Sequence, residues 1–284
     1  MANSAFPKVL IVGYGDLGRE VGCRLARDGL KVIGVRRNVD STAADVNSQD
    51  VTVISADVTQ PLSMAALASI DPEIIVYCVA ASGQSDAEYK AAYVDGLRNV
   101  LTAQQHNRQL KHVLFVSSTR VYGQDTDELL DESIPAVPAD FGGERLLEAE
   151  GLLKALACGA TVLRLSGIYG PGRLRMLNLA KSPDNWPRQN IWSNRIHRDD
   201  AAAFIVFLIR RLLAGNEVQD CYIVTDCKPV PQYEVLEWLA VRLQTETAKP
   251  IPASGGKRLN NKALLASGFK LQYPDYQAGY ATLL

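Results

Sequence analysis

Val9-Leu-Ile-Val-Gly13-Tyr14-Gly15-Asp16-Leu17-Gly18-Arg-Glu20 is the stretch on which the reading of this chain turns. An apolar run too short for anything but a strand enters a turn with glycines at 13, 15 and 18, then a segment rich in good helix formers. The spacing alone is weak, and a mere packing turn is the plain alternative. In its strand-to-helix context it predicts a dinucleotide cradle. The first glycine permits the tight turn, the second lets the backbone approach a pyrophosphate, and the third allows close helix–strand packing, with phosphate at the positive helix end. Gly13, Tyr14, Gly15, Asp16, Leu17 and Gly18 are therefore the candidate phosphate-binding residues.

Working outward, a helix is expected from Leu17 to Asp28 and a second strand over 31–35, ending in Arg36-Arg37. An NAD-specific unit carries a carboxylate about 20 residues after the turn, for the ribose hydroxyl. Two arginines stand there instead. A guanidinium pairs in bidentate fashion with a 2′-phosphate, so NADP is preferred over NAD, the bland alternative being a solvated basic pair. Further strand-like runs follow at 51–55, 74–80, 112–118, 161–166 and 221–225. They are nearly continuous in apolar residues, as strands buried on both faces of a parallel sheet are. Helices are expected between them from Ala87 to His106, from Gly143 to Ala157 and over 199–213, and later a helix in QYEVLEWLAVRLQ. The piece 249–256 reads as a loop.

The fold class is thus α/β, a Rossmann-type doubly wound parallel sheet with a smaller C-terminal substrate lobe. Residues 1–170 form the dinucleotide domain, with 196–228 returning to it, and 171–195 with 229–284 form the lobe. Thirty Lys and Arg balance 31 Asp and Glu, a net charge of −1, which removes the electrostatic argument for nucleic acid or an anionic membrane. No stretch reaches the roughly 18 apolar residues of a membrane span. The five cysteines, Cys23, Cys78, Cys158, Cys221 and Cys227, are odd in number and widely spaced, as reduced core residues are, and no pairing of them suggests a metal. A cytoplasmic location is expected.

The chain resembles the extended short-chain dehydrogenase/reductases, the NAD-dependent epimerase/dehydratase group, in an atypical branch. The likeness rests on Asp57 in SADVTQP, the small-residue turn VAAS, VSSTRVYG, LRLSGIYGPGR, NRIHRDDAAAF, YIVTDCKPVPQYEV and the closing KRLNNKALLASGFKLQYPDY. It implies that Asp57 and Val58 meet the adenine, that Ala80 and Ala81 border the cofactor backbone, and that Tyr169, Arg173, Arg195 and His197 face the substrate, a structural hydrogen bond being the heavier reading of His197 over general-base work. A metal is not implied. The chain departs from the group's GxxGxxG spacing in having Val12 where the first glycine falls.

The resemblance also implies a Ser/Thr, Tyr and Lys relay. Ser118 fits the first role, with a strand-end cap as an equally weighted alternative. The Tyr and Lys positions fall on Phe141 and Arg145. Phenylalanine has no ionisable proton and arginine stays charged to about pH 12, so that relay cannot run as it stands. Arg145 keeps a role in holding the ribose or a substrate anion. Tyr122, and second Tyr93 at the place of the group's helical Asn, are the candidate substitute phenols, a packing role being the heavier reading for either. Two readings stay open: an NADP-linked oxidoreductase or nucleotide-sugar epimerase with an altered proton relay, or a catalytically silent dinucleotide sensor or scaffold. The expected partner is a small-molecule substrate, a nucleotide sugar being the leading candidate, with a homodimer as the candidate assembly.

Overall fold

In the computed structural model, which describes residues 7–38, 51–124, 126–249 and 251–284, the chain opens with β1 (Lys8–Val12), α1 (Asp16–Arg27), β2 (Lys31–Arg36), β3 (Val51–Ser55) and β4 (Ile74–Tyr77). A helical stretch follows, α2 (Asp86–Tyr89) and α3 (Gly96–Ala103) joined by a π-helical segment at Lys90–Asp95, then β5 (His112–Ser118), β6 (Leu129–Leu130) and α4 (Phe141–Leu152). Next come β7 (Gly159–Leu165), β8 (Gly167–Tyr169), α5 (Arg175–Ala180), β9 (Asn190–Ser193), β10 (Arg195–His197) and α6 (Arg198–Leu213). The chain ends with β11 (Cys221–Val224), β12 (Val230–Pro231), α7 (Gln232–Leu243), β13 (Ala253–Gly256), β14 (Arg258–Leu259), α8 (Lys262–Ala266) and α9 (Tyr276–Tyr280).

Seven strands form one parallel sheet in the order β11-β7-β5-β4-β1-β2-β3. The chain runs outward from β1 through β2 to β3, then returns to the other side of β1 with β4. The carboxyl ends of β1 and β4 therefore flank the crevice at which doubly wound sheets take ligands. Alternation along β1 shows why the run is wholly apolar. Val9 and Ile11 join the cluster under α1 and α6, while Leu10 and Val12 join the cluster under α3 and α4. Each such side chain contributes roughly 1.5–3 kcal/mol by leaving water. The strand at 221–225 returns to this sheet beside β7.

A third apolar cluster belongs to the lobe, where Tyr169, Leu177, Trp186, Tyr233, Leu236 and Tyr280 pack together. Its small sheet sets β9 between antiparallel β12 and parallel β13. Residues 253–256 are thus a strand and not the loop expected from their glycines, because β9 offers them an edge to pair with.

Three more boundaries differ from the sequence reading. The run at 74–80 stops pairing at Tyr77, because Cys78 turns under the glycine loop; its N–H donates to Val12 O at 2.8 Å and its thiol to Gly13 O at 3.2 Å. The helix expected over 87–106 is interrupted by the π segment, and Tyr77 Oη donates to the Ala92 carbonyl at 2.5 Å. α4 begins earlier than expected, at Phe141, because the Asp140 carboxylate caps it by accepting the Gly143 N–H at 2.9 Å. Cys227 is exposed, so it is not the core thiol expected. Among the described residues no helix is long and apolar enough to cross a membrane.

Candidate functional site

A cavity of about 1060 Å³ opens at the carboxyl ends of β1, β2, β4 and β5. One end is closed by the glycine turn. Gly13 has φ +98°, and a Cβ there would lie 2.6 Å from the Cys78 carbonyl carbon. No side chain is tolerated in that conformation at that approach. Gly15 is the opposite case: a Cβ would meet no atom within 4 Å, so its missing side chain leaves a space at the amino end of α1. A Cβ at Gly18 would run into the Gly13 carbonyl oxygen, which fixes how closely helix and strand pack. The turn therefore fits a pyrophosphate, with backbone N–H groups and the helix dipole as its partners.

The remaining turn residues divide. Tyr14 is buried, and its ring fills the space left by Gly22 and Gly34, between α1 and β2. Tyr14 still lines the cavity, so it combines a packed ring with a place in the turn. Leu17 is buried beside it. Asp16 places a carboxylate where phosphate is expected, and two guanidiniums offset it. Arg173 Nε lies 2.7 Å and Arg198 Nη1 3.1 Å from its oxygens. Arg173 thus reaches the turn rather than a separate substrate surface. Arg198, unnoticed in the sequence, lay inside the RIHRDD stretch beside a better-known type of candidate, His197.

Next to the turn, Arg36 and Arg37 line the cavity from the exposed end of β2, with Asp57 and Val58 from the loop after β3. Asp57 is held by its own loop: its Oδ1 accepts the Thr59 N–H at 2.9 Å and the Thr59 hydroxyl at 2.8 Å. Asn99 donates to the Val58 carbonyl at 2.8 Å. Ala80 lines the middle of the cavity. Ala81 is set back, its backbone hydrogen-bonding the Tyr93 phenol.

Ser118 lines the cavity at the end of β5, and its hydroxyl oxygen accepts the Arg120 N–H at 3.1 Å. Capping and access therefore coexist at this serine. Tyr93, in the π segment, also lines the cavity; burial first, and Tyr89 second, hold its phenol above the usual range, so it stays protonated. A π turn adds one residue to a helical turn and often marks a functional position.

Further candidate roles are corrected here. Tyr122 is fully buried, its phenol pushed up to about 12 mainly by burial and engaged by Arg164 Nη1 at 2.6 Å. It braces β7 and is no proton donor to the cavity. Arg145 does not line the cavity; its guanidinium clasps Asp86, at 2.6 and 2.9 Å, and Glu148, at 2.7 Å, tying α4 to α2. Phe141 stands edge-on to Tyr89, 5.6 Å between centroids, with the Arg120 guanidinium 5.3 Å from its ring centre. Arg120, held to Asp140 at 2.9 Å and to the Tyr89 hydroxyl at 2.7 Å, is the charge beside the first turn of α4.

The last correction concerns three of the expected substrate residues. Tyr169, Arg195 and His197 are 4%, 5% and 1% exposed. They lie on β8 and β10, which pair with each other and so turn these side chains into the lobe. Tyr169 stacks on Tyr280 at 4.2 Å, and Arg195 Nη2 donates to the Ser193 carbonyl at 3.3 Å. His197 Nδ1 accepts the Asp199 N–H at 3.2 Å as the cap of α6, and burial lowers its pKa, so it stays neutral. Their signal in the sequence was proximity to the pocket, whose lining includes none of the three.

The sequence matches the family described as "NAD dependent epimerase/dehydratase family" over residues 9–222. A Methylobacillus flagellatus protein assigned as an NAD-dependent epimerase/dehydratase is 47% identical over 98% of both chains, with a TM-score of 0.86. The Bordetella bronchiseptica enzyme WbmG, solved with NAD and UDP, shares the fold at 19% identity and a TM-score of 0.79, over 98% of this chain and 93% of that one. UDP-glucose 4-epimerase from Thermus thermophilus, solved with NAD, does so at 17% identity and a TM-score of 0.75, over 96% of each. No curated protein matches the sequence.

Proposed function

This chain belongs to the NAD dependent epimerase/dehydratase family, and from that premise we propose that it is an NADP-linked oxidoreductase or epimerase acting on a nucleotide-linked sugar. The observation that carries the reading is a single cavity lined both by the Gly13–Gly18 turn and by Arg36 with Arg37, the turn's Gly13 and Tyr14 N–H groups donating to the carbonyl of Val35 just before the two arginines. The turn and the amino end of α1 would hold the pyrophosphate, and the two arginines the 2′-phosphate. Asp57 and Val58 would border the adenine, and Ala80 the middle of the dinucleotide. A nicotinamide bound there supplies hydride transfer.

The protein's own part is proton handling and orientation. The Ser118 oxygen accepts from Arg120, which leaves its hydroxyl proton free to donate to a substrate oxygen. Tyr93 offers a protonated phenol on the cavity wall, the role that Phe141 has lost. Arg173 and Arg198, paired with Asp16 beside the turn, would offset the carboxylate that otherwise repels a phosphate held there. The fold shared with WbmG, which was solved with UDP, supports a nucleotide-linked substrate.

The test is a thermal-shift panel of NADPH and NADH, each alone and with UDP or UDP-glucose. A ligand at 100 times its Kd stabilises the folded state by about 2.7 kcal/mol. The expected result is a larger shift with NADPH and a further one on adding the nucleotide. No shift with either dinucleotide contradicts the reading. A shift with NADPH accompanied by neither redox change nor epimerised sugar returns the chain to the silent sensor.

A further inference from the structure

A short turn, Gly170-Pro-Gly-Arg173, carries the chain from β8 into α5 and brings the lobe to the glycine turn. The Arg173 N–H donates to the Gly170 carbonyl at 2.9 Å and closes it. Gly170 takes φ +141°, and a Cβ on it would lie 3.3 Å from His197 Nε2 and from Arg198 Cβ, so the turn rests on the start of α6. Both of its ends are fixed in the lobe core, by the Tyr169 ring stacked on Tyr280 before it and by Leu177 of α5 after it.

The tip of this turn is tied to the amino end of α1. Arg173 Nε donates to Asp16 Oδ2 at 2.7 Å, while Arg198 Nη1 donates to Asp16 Oδ1 at 3.1 Å and to the Pro171 carbonyl at 3.5 Å. One carboxylate thus gathers residues 157 and 182 positions away in the sequence. Arg173 lines the same cavity as Gly13, Gly15 and Asp16. Among the described residues its terminal nitrogens take no partner, which leaves the fork of their N–H groups for an anion. The Arg173–Asp16 pair is exposed, at 41% and 37% of its side chains, so by itself it holds weakly and opens readily. A pyrophosphate on the glycine turn would give the same guanidinium a second anion, and bidentate pairing with phosphate is the stronger bond.

We propose that Arg173 is a ligand of the dinucleotide pyrophosphate, and that the Gly170–Arg173 turn is a strap across the cradle, aimed by Asp16, which closes on the bound dinucleotide and sets its rate of release. The inference rests on the dinucleotide reading above and adds to it a part for the lobe in retaining the cofactor. Asp16 is then a positioning residue: a carboxylate beside phosphates repels them, and what it contributes is the placement of the guanidinium. Two consequences separate a strap from general charge attraction. Attraction acts on the encounter, so losing Arg173 would slow association, whereas a strap acts after the encounter, so losing Arg173 speeds release. Losing Asp16 would tighten binding if only its charge mattered, and loosens binding if Asp16 aims Arg173.

The experiment is stopped-flow fluorescence on the full chain, mixing protein with NADPH for association rates and the NADPH complex with excess NADP for release rates. Both side chains are exposed, so neither substitution opens the core. Arg173→Gln should speed release about tenfold or more, as loss of a charge-assisted hydrogen bond does, with association unchanged or faster. Asp16→Asn should speed release about two- to fivefold, the range of an exposed ion pair, and should have no such effect in the Arg173→Gln background, where the residue it aims is gone. Arg173→Lys, which keeps the charge but not the fork, should restore part of the retention. Release unchanged in Arg173→Gln, tighter binding in Asp16→Asn, or an affinity loss in Arg173→Gln carried by association alone overturns the strap while leaving the dinucleotide reading intact. Failure of the unmutated protein to bind NADPH overturns both.

Discussion

Alanine at Gly15 and alanine at Gly13 should fail in opposite ways, since one glycine is kept for the ligand and the other for the fold. A Cβ at Gly15 meets no protein atom within 4 Å, and φ is −95°, a value open to any residue. Its cost to folding is that of a poorer helix cap, about 1 kcal/mol or less. The methyl would stand where the pyrophosphate is proposed to lie, and displacing the phosphate forfeits about two charge-assisted hydrogen bonds at about 1.5–3 kcal/mol each. NADPH affinity should therefore fall at least ~100-fold, one decade per 1.4 kcal/mol. At Gly13 the methyl meets the Cys78 backbone at 2.6 Å and imposes φ +98° on an L-residue. The positive φ alone costs roughly 1–2 kcal/mol, and the backbone collision adds to it. Its melting temperature should drop by several degrees. Calorimetric titration with NADPH and thermal melts of both variants decide the matter. Gly15→Ala binding NADPH within threefold of the unmutated protein, at an unchanged melting temperature, refutes the phosphate-cradle argument.

Two stability predictions follow from the interior. Glu150→Ala should cost about 3–5 kcal/mol in denaturant unfolding, because it strands the buried Arg164 guanidinium, now 2.7 Å from the carboxylate, and the Ser117 hydroxyl that donates to it at 2.6 Å; a loss under 1 kcal/mol contradicts the network. Asp226 is buried at the end of β11, and burial lifts its carboxyl pKa to about 7. The folded state then holds a proton that the unfolded state releases near pH 4, so wild-type stability declines as pH rises from about 4 to 7. Asp226→Asn should remove that decline, so its stability relative to wild type rises between pH 5 and pH 7.5. A constant difference between the two proteins across that window sinks the assignment.

What the sequence made legible were features with a periodic or local cause. Buried strands such as Val9–Val12 announce themselves by unbroken apolarity, and Gly13, Gly15 and Gly18 by fixed spacing around a helix start. Side-chain direction was not legible. Tyr14 and Tyr122 sit in motifs that border the cavity, yet both rings point into the core, because Gly34 and Gly22 make room for one and Arg164 holds the other. Tyr169, Arg195 and His197 were near in sequence to the pocket, and only their burial against the lobe tells that they face inward. Arg145 was read beside Phe141, but its partner Asp86 lies 59 residues away, a distance that no local pattern reports.

The measurement that bears most directly on the account is the pair of dissociation constants for NADPH and NADH, determined by titration calorimetry on the unmutated protein and on Arg36→Asp. Arg36 and Arg37 line the glycine-turn cavity from the tip of β2. A single charge-assisted pair to a 2′-phosphate is worth about 1.5–3 kcal/mol, or roughly 10- to 100-fold in affinity. The account predicts NADPH at least tenfold tighter than NADH, with the preference erased or reversed in Arg36→Asp. Equal affinities in the unmutated protein, or binding of neither dinucleotide, would contradict it.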